Sequence, residues 1–167
     1  LSFLKDLIAI ESISGNEEAV VKRAAEEMRA CGFDDVFFDS VGNVIGRIGS
    51  GGKIILFDAH LDTVEVDRER WDSDPFTPVE KDGKIYGRGA VDDKGAFACL
   101  VYAGKALKEL DLQHSFTVYI SGSISEEDCE GLAVGSFLEE YKIRPDYTVI
   151  AEASECTICR GHRGRAL

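Results

Sequence analysis

A doubly wound α/β domain, with a mainly parallel sheet flanked by helices, is what this sequence predicts, and three observations predict it. The unbroken apolar run at 54–57 has the composition of a strand covered on both faces, and 116–121 and 147–151 read as further strands of the same sheet. Segments with apolar residues at helical spacing, at 94–110 and 132–141, alternate with them. Polar residues gather where the runs end, at His60, Glu126, Glu127 and Glu152. In sheets of this kind, sites form beyond the carboxyl ends of the strands.

In chain order, Leu4, Leu7, Ile8 and Glu11 step along a short amphipathic helix. Ser14-Gly15-Asn16 before Glu17 and Glu18 reads as the cap of a second helix, which turns Val20, Val21, Ala24, Ala25 and Met28 inward and stops at Gly32. Residues 36–38 and 44–48 read as a hairpin turning through 40–43. Residues 49–53 have the glycines and lysine of a phosphate loop but lack the following Ser/Thr and helix, so a nucleotide site is rejected there. After the 54–57 strand comes Asp58-Ala59-His60-Leu61-Asp62, then an irregular stretch, then a hairpin over 79–86 turning at Asp82-Gly83. That hairpin leads into Gly87-Arg88-Gly89-Ala90-Val91-Asp92-Asp93-Lys94-Gly95, a glycine-rich turn that presents two aspartates ahead of a helix. By themselves these aspartates are equally read as helix caps.

The chain has 167 residues, 44% of them hydrophobic, enough for one domain with its own core. A net charge of −12 argues against nucleic acid or an anionic membrane as partner, and no apolar run is long enough to span a bilayer. A cation is the more natural guest. Five cysteines, an odd number without framework spacing, fit a reducing, cytoplasmic setting, and the single pair Cys156 and Cys159 reads as structural. The chain begins at Leu1 and its one methionine is Met28, so a natural start is expected upstream.

A lone histidine after a strand, or a pair of glutamates, is usually structural or solvated. Here His60 and four separate acidic positions, Asp62, Asp92, Glu127 and Glu152, are predicted at one edge of one sheet. Carboxylates brought that close resist ionising together unless a cation joins them. Imidazole with carboxylates suits Zn2+, with Co2+ or Mn2+ also compatible. In His60-Leu61-Asp62, the aspartate is placed to hold the other ring nitrogen of the histidine and set its tautomer.

His60-Leu61-Asp62, the 87–95 stretch, Glu126-Glu127 and Glu152 resemble the four ordered motifs of the zinc aminopeptidase/amidohydrolase family containing acetylornithine deacetylase, succinyl-diaminopimelate desuccinylase, aminoacylase and glutamate carboxypeptidase. The resemblance runs through nearly the whole chain. It implies a zinc exopeptidase-like fold, here incomplete, and two Zn2+ per complete site. It implies further that Asp92 bridges the metals, that His60 and Glu152 complete one site, that Glu127 belongs to the other, and that Glu126 is the general base. A cis peptide between Asp92 and Asp93 is implied as well. The reaction implied is hydrolysis of an amide or peptide bond in a small substrate, an N-acyl amino acid or dipeptide, by metal-activated water.

Two departures matter. Ala153 follows Glu152 where many relatives carry proline, and the family's last ligand, a distant histidine, has no counterpart. His114 precedes its strand and so lies at the wrong edge, while His162 sits in a stretch resembling the approach to the family's second domain. Residues 1–167 are therefore expected to be the N-terminal portion of the catalytic domain, without the lid and dimerisation domain or the returning C-terminal part, and inactive alone. The complete protein is expected to be a homodimer. The competing reading is a catalytically incompetent fragment or a non-catalytic metal-binding module.

Overall fold

A computed structural model describes residues 1–112, 115–129, 131–155 and 157–159. His114, His162 and Cys156, on which expectations were placed, lie outside the described residues. The elements are α1 (Ser2–Ala9), α2 (Glu18–Ala30), β1 (Asp35–Phe38), β2 (Val44–Ile48), β3 (Lys53–His60), β4 (Val79–Lys81), β5 (Lys84–Tyr86), α3 (Lys94–Glu109), β6 (Phe116–Ser123), α4 (Glu126–Cys129), α5 (Leu132–Glu140) and β7 (Tyr147–Ile150). All but α4, which was not read from the sequence, agree with the sequence reading within a few residues. Glu11 falls beyond α1, and α2 begins without the side-chain cap expected from Ser14 to Asn16.

Five strands form one sheet in the order β1-β2-β6-β3-β7. β3 pairs with β6 and β7 in parallel, whereas β1–β2 and β2–β6 are antiparallel, so the sheet is mixed. The reason is connection length: a tight hairpin can join only antiparallel strands, while parallel pairs need crossovers, which α3 and α5 provide. β4 and β5 form the separate predicted hairpin. Asp82 and Gly83 both adopt positive φ there (52° and 72°), the conformation that Asp-Gly hairpin turns require.

Helices cover both faces. On one, Phe3, Leu7, Val20, Ala24, Met28, Phe97 and Val101 pack against Val44, Ile48, Ala59, Val118 and Ile120. On the other, Phe137 and Ile143 close over Ile45 and Leu56. Two expected strands are less buried than their composition implies: in 54–57 only Leu56 is fully buried, and all of β7 is exposed. Among the described residues β7 pairs with β3 alone, and no helix makes substantial contact with it.

Candidate metal centre

β3 and β6 run parallel in a register that sets His60 opposite Ser123, so both strands deliver their chemistry to the same sheet edge. His60 is buried at the end of β3. Its Nδ1 donates to the backbone carbonyl of Asp62 at 3.0 Å, with Asp62 Oδ1 at 3.3 Å. The carbonyl, more than the expected carboxylate, therefore orients the ring. A carbonyl can only accept, so Nδ1 carries hydrogen and Nε2 is left to face the site, 2.7 Å from Asp92 Oδ1.

Asp92 stands on the glycine-rich turn before α3, half exposed, and its bond to Asp93 is cis, as the resemblance implies. Gly89 has φ +79° and a Cβ there would lie 2.9 Å from Lys94 Cδ; a Cβ at Gly87 would meet Ile8 Cγ2 at 2.5 Å. The turn closes that tightly only with glycine at both positions. Asp93 is the residue before α3, yet its carboxylate makes no capping bond, which removes the capping reading. It is fully buried with neither oxygen hydrogen-bonded, and burial, together with the Glu152 and Asp92 charges, pushes its pKa up to about 8 despite the nearby His60. Lys94 is also fully buried, donating to the carbonyls of Leu7 and Ile10 at 2.8 Å each.

Glu126 and Glu127 begin the one-turn helix α4. Asp62, wholly buried, accepts from their backbone N–H groups, Glu126 at 3.0 Å and Glu127 at 3.2 Å, and from Ser14 Oγ at 2.6 Å. This second task of Asp62 was not read from the sequence. Glu152 follows β7 and is exposed. Beneath the site, Asp58 is buried on β3 and accepts from the hydroxyls of Ser121 and Ser123.

The electrostatics follow from the crowding. Burial first, then neighbouring acidic groups, raise the pKa values of Glu126, Glu127 and Glu152, with His60 pulling the other way. Burial also opposes a charged His60, but its bonds to Asp62 and Asp92 prevail and push it up to about 11. The His60 bond holds Asp92 below the ordinary carboxylate range, against burial.

Two groups of ligand atoms lie within 4.8 Å of one another: His60, Asp92 and Glu127, and His60, Glu126 and Glu152. The other four expected ligating or basic side chains, Asp92, Glu126, Glu127 and Glu152, thus converge on His60. The partition differs from the expected one, which joined His60 and Asp92 to Glu152. One imidazole and carboxylates at this spacing fit a divalent cation of the zinc, cobalt or manganese type.

The profile of peptidase family M20/M25/M40 matches residues 56–161. The uncharacterized protein YgeY of Escherichia coli (strain K12) is 44% identical over 164 residues, which cover 98% of this chain and 41% of that protein. Acetylornithine deacetylase of Proteus mirabilis is 33% identical over 177 residues, covering 98% of this chain and 45% of the enzyme. The crystal structure of human carnosine dipeptidase 1 superposes with a TM-score of 0.73 at 27% identity, covering 90% of this chain and 38% of that one. The chain therefore spans under half the length of these relatives.

Proposed function

Because the chain belongs to peptidase family M20/M25/M40, we propose that it is the metal-binding part of a hydrolase that cleaves an amide or peptide bond in a small substrate, an N-acyl amino acid or dipeptide, with water as nucleophile. The observation that carries this is the convergence of Asp92, Glu127, Glu126 and Glu152 on His60. Relatives named a deacetylase and a dipeptidase support the substrate class.

In this reading His60, Asp92, Glu127 and Glu152 hold divalent metal, Zn2+ by preference. When bound, the metal supplies Lewis acidity toward the scissile carbonyl and the attacking water. Glu126 takes the proton from that water and returns it to the leaving amine, and its raised pKa suits a base that must also act as acid. The Asp62 carbonyl keeps the hydrogen of His60 on Nδ1, leaving the Nε2 lone pair for the metal. The Asp62 carboxylate steadies both glutamates through their N–H groups.

One observation favours a second assignment: Glu126 itself lies in ligand range of His60 and Glu152. Replacing Glu126 with Gln in the complete polypeptide separates the two. The amide keeps the shape but cannot accept the proton, so turnover of N-acyl amino acids and dipeptides should fall about a hundredfold to ten-thousandfold while metal content stays constant. Loss of metal would make Glu126 a ligand, and unchanged turnover would remove it from the mechanism.

A further inference from the structure

The loop that carries Glu126 and Glu127 is held at four consecutive backbone N–H groups by side chains from elsewhere in the chain. Ile124 N donates to Asn43 Oδ1 at 3.0 Å, and Ser125 N donates to Glu17 Oε1 at 3.1 Å. Glu126 N and Glu127 N donate to the two oxygens of Asp62. Asn43, Glu17 and Asp62 are all buried. Backbone amides at a loop ordinarily find water or neighbouring carbonyls, so three buried acceptors devoted to one four-residue segment is a specific arrangement.

Asn43 and Glu17 take no part in the metal chemistry, and of the two it is Glu17 that bonds Ser125. The same Oε1 accepts from Gly15 N at 2.8 Å and from Ser125 Oγ at 3.2 Å. Ser125 sits at φ +51°, a left-handed conformation that a residue with a Cβ adopts only against steric resistance, and its carbonyl accepts Cys129 N at 2.9 Å to start α4. The segment before Glu17 is anchored independently, by a parallel bridge between Ile13 and Thr63 and by Ser14 Oγ on Asp62. Glu17 and Asp62 therefore belong to one bracket, Glu17 gripping Ser125 itself and Asp62 the two residues after it.

We infer that Glu17 is a positioning residue for the base Glu126 and the ligand Glu127: by bonding Ser125 through both N–H and Oγ it fixes the left-handed turn from which both glutamates are aimed. This rests on the metal-hydrolase reading above. Small misplacements of a base or ligand cost rate more than binding.

The test uses the complete polypeptide with Glu17→Ala and Glu17→Gln, each loaded with Co2+ or Zn2+. Glu17→Ala should lower kcat about tenfold to a hundredfold with KM within about twofold, and should change the visible absorption of bound Co2+ because Glu127 moves. Glu17→Gln, which keeps an acceptor oxygen in place, should recover most of both. Ser125→Gly in the Glu17→Ala background should recover part, because glycine adopts the turn without help. If Glu17→Ala does not fold, Glu17→Asp, which draws the accepting oxygen back by one methylene, takes its place: a lowered kcat and a shifted Co2+ spectrum are expected, and both unchanged would overturn the inference. An unchanged kcat and Co2+ spectrum in a folded Glu17→Ala protein would overturn this inference and leave the hydrolase reading standing. A wild-type protein that binds neither metal would overturn both.

Discussion

The two sides of β3 differ sharply. Toward β6 and β2 the sheet is sealed: Val44, Ile45, Ile48 and Leu56 are wholly buried, and helices cover both faces. Toward β7 it is open, with Tyr147 63%, Val149 46% and Ile150 65% exposed. Both sides are built from similar apolar strand sequence. The difference teaches that a β-branched run specifies a strand, while its burial depends on what packs beside it. The candidate metal centre inherits the asymmetry: Glu126 and Glu127 come from the sealed side with their N–H groups held, and Glu152 comes from the open side, exposed.

The largest effect that would test the comparison is in the core. Leu56→Ala should cost about 2–5 kcal/mol in urea denaturation, whereas Val149→Ala should stay within about 0.5 kcal/mol in the 1–167 polypeptide. An open apolar edge also invites pairing, so this polypeptide should associate at high concentration and Val149→Lys should reduce that association by light scattering. Equal costs at the two positions would mean that β7 is covered in solution.

Next in size is the contrast between the two sources of acidic groups. Asp62→Ala leaves two half-buried N–H groups and the Ser14 hydroxyl without their acceptor, and should lower stability by about 2–3 kcal/mol. Glu152→Gln should leave the melting temperature of the metal-free protein nearly unchanged and show itself only as weaker zinc binding. A stability loss at Glu152 comparable to that at Asp62 would erase the distinction.

The smallest effect is protonic. With a pKa near 11, His60 is charged at neutral pH when no metal is present, yet only the neutral ring ligates. Zinc binding should therefore release about one proton from His60, and apparent affinity should rise about tenfold per pH unit between pH 6 and 7.5. Calorimetry in buffers of different ionisation enthalpy reads the proton directly, and His60→Ala should abolish most of the zinc-induced rise in melting temperature. A pH-independent affinity would place the metal away from His60.

Much of the fold was legible because its signals are local. Helical spacing located α2 and α3, Asp82-Gly83 specified the β4–β5 turn through its positive φ values, and apolar runs ending in His60 and Glu126-Glu127 pointed to a single sheet edge. The residues that crowd around His60 were likewise readable, since their type and order carry the family resemblance. Tertiary structure decided what no window of sequence contains. It made the sheet mixed, by laying the β1–β2 hairpin antiparallel against β6. It left β7 exposed and grouped Glu126 with Glu152 around the histidine. It also buried Asp93 without partners and carried Glu17 across 108 residues of sequence to Ser125. Those outcomes depend on strand order and on which elements meet, and a side chain such as Glu17, which reads locally as a helix start, finds its acceptor role only when a distant loop arrives beside it.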